Sequence, residues 1–168
     1  YADVQHIPPG DMIWMVKRIA RAVSVPVTAD MEAGYGDPVG TARAVLDAGA
    51  VGMNLEDSAT DGSLADLQTQ VKIIEQIRAA TDIVLNARTD VYLFAVGDPA
   101  TRFERAVERL NAYRKAGADS LFVPGVRDPE TIGRLVQAVN GPLNILATAG
   151  APSISELERL GVRRVSVG

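Results

Sequence analysis

The sequence predicts an α/β fold, a (β/α)8 barrel, on three observations. Short apolar runs alternate with segments of helical period, the boundaries between them carry strong stop and start signals, and acidic residues gather where the runs end. Six runs read as strands: Val25 to Ala29, Val51 to Leu55, Ile83 to Ala87, Ser120 to Val123, Leu143 to Ala147 and Arg164 to Val167. They are too short for helices and rich in Val, Ile and Leu, as expected of parallel strands buried on both faces.

Between them lie amphipathic stripes. Met12, Val16, Ile19 and Val23 form the first, Leu64, Leu67, Val71, Ile74 and Ile77 the second, and Phe103, Val107 and Leu110 the third. Three helix starts are written as Asp37-Pro38, Asp98-Pro99 and Asp128-Pro129, an N-cap acid before a proline whose missing N–H costs nothing there. Ser153 with Glu156 makes a capping box. Gly49, Gly117 and Gly161 stand where a helix would close through a left-handed residue before the next strand.

This βα repetition fits a barrel or an open doubly wound sheet. The nucleotide-binding version of the latter needs G-x-G-x-x-G after its first strand; GYGDPVG is the nearest string, and its spacing and acidic flank are wrong for a pyrophosphate. A barrel takes about 250 residues. The 168 residues read as one domain, 1–168, with roughly two strands expected to be missing on the N-terminal side, together with the last helix.

Composition bounds the chemistry. The chain is 47% hydrophobic and 23% charged, with a net charge of -4 and no basic block, which argues against nucleic acid or an anionic membrane as partner. No cysteine is present, so thiolate metal sites and cysteine catalysis are excluded, and a cytoplasmic location is the default expectation. His6, the single histidine, reads as a surface residue beside Pro8-Pro9.

In barrels of this kind chemistry collects at the C-terminal ends of strands. Those ends hold Asp30 and Glu32, then Glu56 and Asp57, then Arg88, Thr89 and Asp90. Asp30 and Glu32 sit two residues apart, so on an extended strand both would face the same side. Converging carboxylates repel by about 4 kcal/mol per pair at an effective dielectric near 20. Protonation, a basic partner such as Arg88, or a divalent cation would relieve that. An oxygen-only donor set favours a hard ion, Mg2+ with Mn2+ as an alternative. Each acid could also be a loop cap or half of a structural ion pair, and Gly34-Tyr35-Gly36 could be a turn or a place where backbone approaches a ligand. The late SVG at Ser166 to Gly168 resembles a barrel phosphate loop.

VPVTADMEAGYGD, GAVGMNLEDS, IVLNARTD and ADSLFVPG together resemble the isocitrate lyase and phosphoenolpyruvate mutase superfamily, along nearly the whole chain. The resemblance implies a barrel of the phosphoenolpyruvate/pyruvate-binding type that binds Mg2+ and a small α-oxo or 2-hydroxy acid. It implies metal binding by Asp30, Glu32, Glu56 and Asp3, catalytic roles for Arg88 and Glu56, and substrate contacts from Arg88, Gly34 and Tyr35. A homo-oligomer is expected of the full-length protein. Two departures stand out. The lyase segment Lys-Lys/Arg-Cys-Gly-His is absent from EDSATDGSLADL, and Pro124 replaces a histidine of the mutase, so neither isocitrate cleavage nor phosphoryl rearrangement transfers directly. The expected activity is lyase-type cleavage of a C–C or C–P bond through an enolate; a phosphonomutase or a non-catalytic acid-binding barrel are the alternatives.

Overall fold

The computed structural model describes residues 7–167. Six strands and six α-helices follow one another among them. They are α1 (Pro9–Ala22), β1 (Thr28–Asp30), α2 (Pro38–Asp47), β2 (Gly52–Glu56), α3 (Leu67–Ala80), β3 (Val84–Arg88), α4 (Arg102–Lys115), β4 (Ser120–Phe122), α5 (Pro129–Ala138), β5 (Leu143–Leu146), α6 (Ile154–Arg159) and β6 (Arg164–Ser166). A 3-10 turn, Pro99–Thr101, leads into α4.

All strands pair in parallel, in the order β1-β2-β3-β4-β5-β6. An order that never reverses has no topological switch point, so the doubly wound alternative falls. The sheet curls as in a half-barrel: Arg164 Nη2 of the last strand donates to Thr28 Oγ1 of the first at 3.3 Å. Among the described residues no helix is long and apolar enough to cross a membrane.

The helix signals work as their chemistry requires. Asp37 accepts from Gly40 N–H, Asp98 from Ala100 N–H and Asp128 from Thr131 N–H, each beside its proline. Both halves of the Ser153 and Glu156 capping box are formed. Gly49, Gly117 and Gly161 take φ of 95°, 113° and 91°, a region that costs a residue with a Cβ. α3 carries an additional cap, Asp66, whose side chain accepts from Thr69 N–H.

Two expectations need correction. The strands are uniformly apolar only on the helix-facing side, where Ala29, Met53, Leu55, Leu85, Ala87, Leu121 and Ile145 are buried. Alternate residues present Asp30, Asn54, Glu56, Asn86, Arg88, Ser120 and Asn144 to the other side. The core is therefore a layer between sheet and helices, and the inner face of the curl is mostly polar, with Val84, Phe122 and Leu146 among its polar residues. The first stripe is also only half right. Val16 is buried and Met12 packs against the core, whereas Ile19 and Val23 are 46% and 43% exposed.

Asp128 Oδ2 accepts at 2.7 Å from both the N–H and the hydroxyl of Thr131. Asp128→Ala should destabilise the chain by about 1 kcal/mol in urea unfolding, with the slope unchanged.

Candidate active site

β1, β2 and β3 end at one rim because their parallel register pairs Asp30 with Asn54 and Glu56 with Arg88. Arg88 is the hub. Its Nη1 lies 2.9 Å from Glu56 Oε2 and 3.9 Å from Asp30 Oδ2, and its Nε donates to Asp90 Oδ1 at 2.6 Å. Asp30, Glu32, Glu56 and Arg88 form the polar lining of one cleft of about 500 Å3. Its apolar wall includes Leu93 and Phe94 from the segment after β3, opposite Ile7 and Met12.

Asp30 and Glu32 reach this cleft by a different route from the one strand geometry suggests. β1 stops at Asp30, Met31 is fully buried, and Glu32 turns into the left-handed region at φ 49°. Glu32 N–H donates to Asp30 Oδ1 at 3.2 Å, and Glu32 C=O accepts from Glu56 N–H at 2.9 Å, which clamps the turn to the end of β2. Tyr35 is left-handed as well, at φ 53°. Such non-glycine conformations cost on the order of 1 to 3 kcal/mol each and concentrate where a site overrides local preference.

Gly34 and Tyr35 stand one step behind the cleft. The Tyr35 hydroxyl reaches Glu32 Oε1, at 3.4 Å, from outside the cleft lining. Gly34 has φ 89°, and a Cβ there would meet Pro38 at 2.7 Å, so glycine is demanded by the tight entry into α2. Asp3 lies outside the described residues. Pro124 and Ser166 line a neighbouring cavity of about 350 Å3 that shares Asp30 and Arg88 with the first.

The charge balance of the cleft is acidic. Three carboxylates, those of Asp30, Glu56 and Asp90, lie about the guanidinium of Arg88, and Glu32 adds a fourth acid to the cleft. Burial pushes Glu56 up to about 7 against the opposing pull of Arg88, and burial likewise raises Asp90. Burial also disfavours the charge on Arg88, but its bond to Asp90 and the surrounding acids outweigh this and hold it above its ordinary value. Ser58 Oγ sits 2.8 Å from Glu56 Oε1 and 2.7 Å from Asp90 Oδ2. A hydroxyl has one hydrogen, so both contacts are satisfied together only when one of the two acids carries a proton.

This donor set fits a hard divalent cation: oxygen ligands only, with more acid than base. Among the described residues no three acids converge into a ready-made cage.

Sequence reasoning missed the group that fixes this rim from behind. Asp57, buried, accepts from Tyr113 Oη at 2.6 Å, Arg109 Nη1 at 3.0 Å and Asp90 N–H at 3.0 Å. Arg109 Nη2 also donates to Ala65 C=O at 2.7 Å. Ala65 N–H returns to Asp57 C=O, and Ala59 N–H bonds Ser63 C=O, so the segment between β2 and α3 is a tied turn. Arg109 and Tyr113 are spaced i, i+4 on α4, a face signal with nothing in the sequence to name its partner.

Comparison with known proteins places the molecule. Residues 1–168 match the family model described as phosphoenolpyruvate phosphomutase. The chain is 29% identical over 174 residues to an oxaloacetate decarboxylase of Rhodopseudomonas palustris (strain BisA53), covering 98% of this chain and 59% of that protein. Against an oxaloacetate decarboxylase of Pseudomonas putida (strain GB-1) it is 29% identical, covering 99% and 60%. It thus spans about three fifths of the length of these relatives. Among solved structures, a candidate phosphonomutase from Burkholderia cenocepacia J2315 superposes with a TM-score of 0.93 at 38% identity, covering 100% of this chain and 72% of that one. A 2,3-dimethylmalate lyase of the PEP mutase/isocitrate lyase superfamily gives 0.84 at 31%, covering 99% and 61%. Oxaloacetate acetylhydrolase in complex with the product oxalate gives 0.85 at 27%, covering 99% and 62%.

Two outcomes follow from the geometry. Arg109→Met strands the buried Asp57 carboxylate and should cost about 3 to 5 kcal/mol in urea unfolding. Glu56 holds its proton more tightly folded than at its ordinary value of 4.5. Between about 4.5 and 7 the folded chain therefore binds more protons than the unfolded one, and stability falls as pH rises through that window. The fall from Glu56 is at most about 3 kcal/mol. Melts in chelated buffer should show it, with a flatter profile for Glu56→Gln; equal slopes would refute this origin.

Proposed function

Because the chain belongs to the phosphoenolpyruvate phosphomutase family, we propose that it carries the active site of a Mg2+-dependent lyase-type enzyme. The substrate is a small α-oxo or 2-hydroxy acid in which a C–C or C–P bond is cleaved through an enolate. The gathering of Asp30, Glu32, Glu56 and Arg88 in one cleft carries this reading. With it go a homo-oligomeric full-length protein, a cytoplasmic setting and no nucleic-acid partner.

The chain's own residues divide the work. Asp30 and Glu56 would hold the cation, with Glu32 and Asp3 acting through water; Mn2+ suits the same oxygens. When bound, the ion supplies Lewis acidity toward the oxygens of the acid. Arg88 opposes negative charge as it develops on the substrate. Its Nε and Nη1 are held by Asp90 and Glu56, which leaves Nη2 as the donor not engaged by the protein among the described residues. Asp90 and Glu56 thus fix the guanidinium plane before substrate arrives, so little reorganisation is needed during reaction. As the bond beside the carbonyl breaks, its electron pair stays on the acid as the enolate, the other fragment leaves as CO2 or a carbonyl compound (or, for a C–P bond, as a phosphoryl group taken up by water), and a proton from solvent completes the product. Leu93 and Phe94 give the cleft an apolar wall that limits water on that side.

Relatives support the substrate class. Matched proteins are named oxaloacetate decarboxylase, 2,3-dimethylmalate lyase and oxaloacetate acetylhydrolase, the last seen with oxalate. Phosphonomutase chemistry is the second reading, favoured by the 38% identity to the candidate phosphonomutase. Pro124 at the end of β4 weakens it, since proline offers no group to a phosphoryl. Binding without turnover is the reading favoured by the tied turn after Asp57, which provides no long covering loop.

Titration calorimetry with Mg2+ and oxalate, an enolate mimic, should show binding that Asp30→Ala abolishes. With an oxo-acid panel including oxaloacetate, Arg88→Lys should lower kcat/KM by about 100-fold or more. Binding without product across the panel would select the non-catalytic reading, and C–P cleavage seen by 31P NMR the phosphonomutase. Oxalate uptake indifferent to Asp30 would sink the assignment.

A further inference from the structure

The inner face of the sheet carries an ordered polar chain behind Asp30. Parallel register puts Asp30, Asn54, Asn86 and Ser120 side by side on β1, β2, β3 and β4. Ser120 Oγ donates to Asn86 Oδ1 at 2.6 Å, Asn86 Nδ2 to Asn54 Oδ1 at 2.8 Å, and Asn54 Nδ2 to Asp30 Oδ2 at 3.3 Å. Asn86 is fully buried and Ser120 nearly so.

The direction of this chain is forced by its end. An ionised carboxylate only accepts, so Asn54 must turn its amide nitrogen to Asp30 and its oxygen to Asn86. Asn86 must then present nitrogen to Asn54 and oxygen to Ser120, whose hydroxyl supplies the closing donor. Reversing either amide would set donor against donor or acceptor against acceptor. Barrel interiors are ordinarily filled by branched apolar side chains. Burying asparagines there is unfavourable unless every polar atom is matched, and the match here ends on a cleft carboxylate.

We infer that Ser120, Asn86 and Asn54 form a positioning relay that fixes the Asp30 carboxylate for cation binding. The relay spends one lone pair of Oδ2 and sets the plane of the carboxylate, while the Glu32 N–H engages Oδ1. Both oxygens are thereby oriented, and the remaining lone pairs are the ones left for a cation. This inference rests on the reading that Asp30 takes the ion. Partners of this kind, standing behind a metal ligand, typically contribute 10- to 100-fold in metal affinity.

The test is Mn2+ affinity, by electron paramagnetic resonance of the free ion, alongside thermal melts and without any substrate. Asn86→Leu is close in shape and removes the relay's centre. It should weaken Mn2+ binding about 10- to 100-fold, with a lowered melting temperature because the Ser120 hydroxyl and Asn54 Oδ1 lose their partner. Ser120→Ala should weaken binding less, and Ser120→Thr, which keeps the hydroxyl, should bind as wild type. If Asn86→Leu fails to fold, the Ser120 pair decides. Wild-type binding that Asp30→Ala abolishes, with Asn86→Leu and Ser120→Ala both within twofold of wild type, overturns the relay and leaves the site reading intact. A wild-type chain that takes no Mn2+, or an Asp30→Ala chain that takes it equally well, overturns both.

Discussion

One guanidinium facing several carboxylates is the constraint on which the rest of this molecule depends. Arg88 sits at the end of β3 and contacts Glu56 and Asp90 directly, with Asp30 at the edge of its reach. A single positive charge cannot balance that many acids at a buried rim. Burial, with a smaller push from neighbouring acids, raises Glu56 and Asp90 toward their neutral forms. Removing water from charged groups is expensive, and a fold that retains such a cluster must hold it rigidly, or neutralise it with something brought from outside. The oxygen-only donor set makes a hard cation with an anionic ligand the natural complement.

Rigidity comes from two networks that stand behind the cleft. Asp57 ties β2's exit to α4 through Arg109 and Tyr113, and through Asp90 N–H to the exit of β3. The strand ends that carry Glu56 and Arg88 are thus locked to each other by the bond from Asp90 N–H to Asp57, the residue next to Glu56, and the Asp57–Arg109 ion pair fixes both against α4. A paired buried charge adds little net stability, but breaking it is costly, which makes it a good device for fixing geometry. On the inner face, the asparagine chain does for Asp30 what Asp57 does for the strand ends. The helix-facing side of the same strands supplies the apolar burial, so each strand separates stability from chemistry by alternation.

What was legible in the sequence was local. Asp-Pro starts, the capping box and the closing glycines are decided by neighbouring backbone groups, and each forms as its chemistry requires. Asp30, Glu56 and Arg88 were legible because strand ends collect at one rim whatever the register. Glu32 reached the cleft for a reason the strand pattern could not contain, a left-handed turn imposed by Asp30 and the end of β2. Arg109 and Tyr113 were illegible because their partner lies more than fifty residues away. The asparagine chain lay in plain view in MNLE and LNAR, each strand with one amide at the inward position, and LNIL repeats the pattern with Asn144, which bonds Ser166 instead. Flanking Leu, Ile and Met masked that alternation and made the runs look apolar throughout.

The turn between Asp57 and Ala65 bears on how the cleft handles water. Its ends are tied to each other and to Arg109, and the bridge between Ser58 and Leu64 closes it further. A segment bonded in this way has few residues left to swing over a ligand. The apolar cover that does exist comes instead from the chain after β3, where Leu93 and Phe94 line the cleft while remaining 41% and 42% exposed. That segment springs from Asp90, whose carboxylate holds Arg88 and whose N–H is held by Asp57. The wall of the cleft is therefore anchored to the same residue that orients its guanidinium, and a shift in one is transmitted to the other through a single buried side chain.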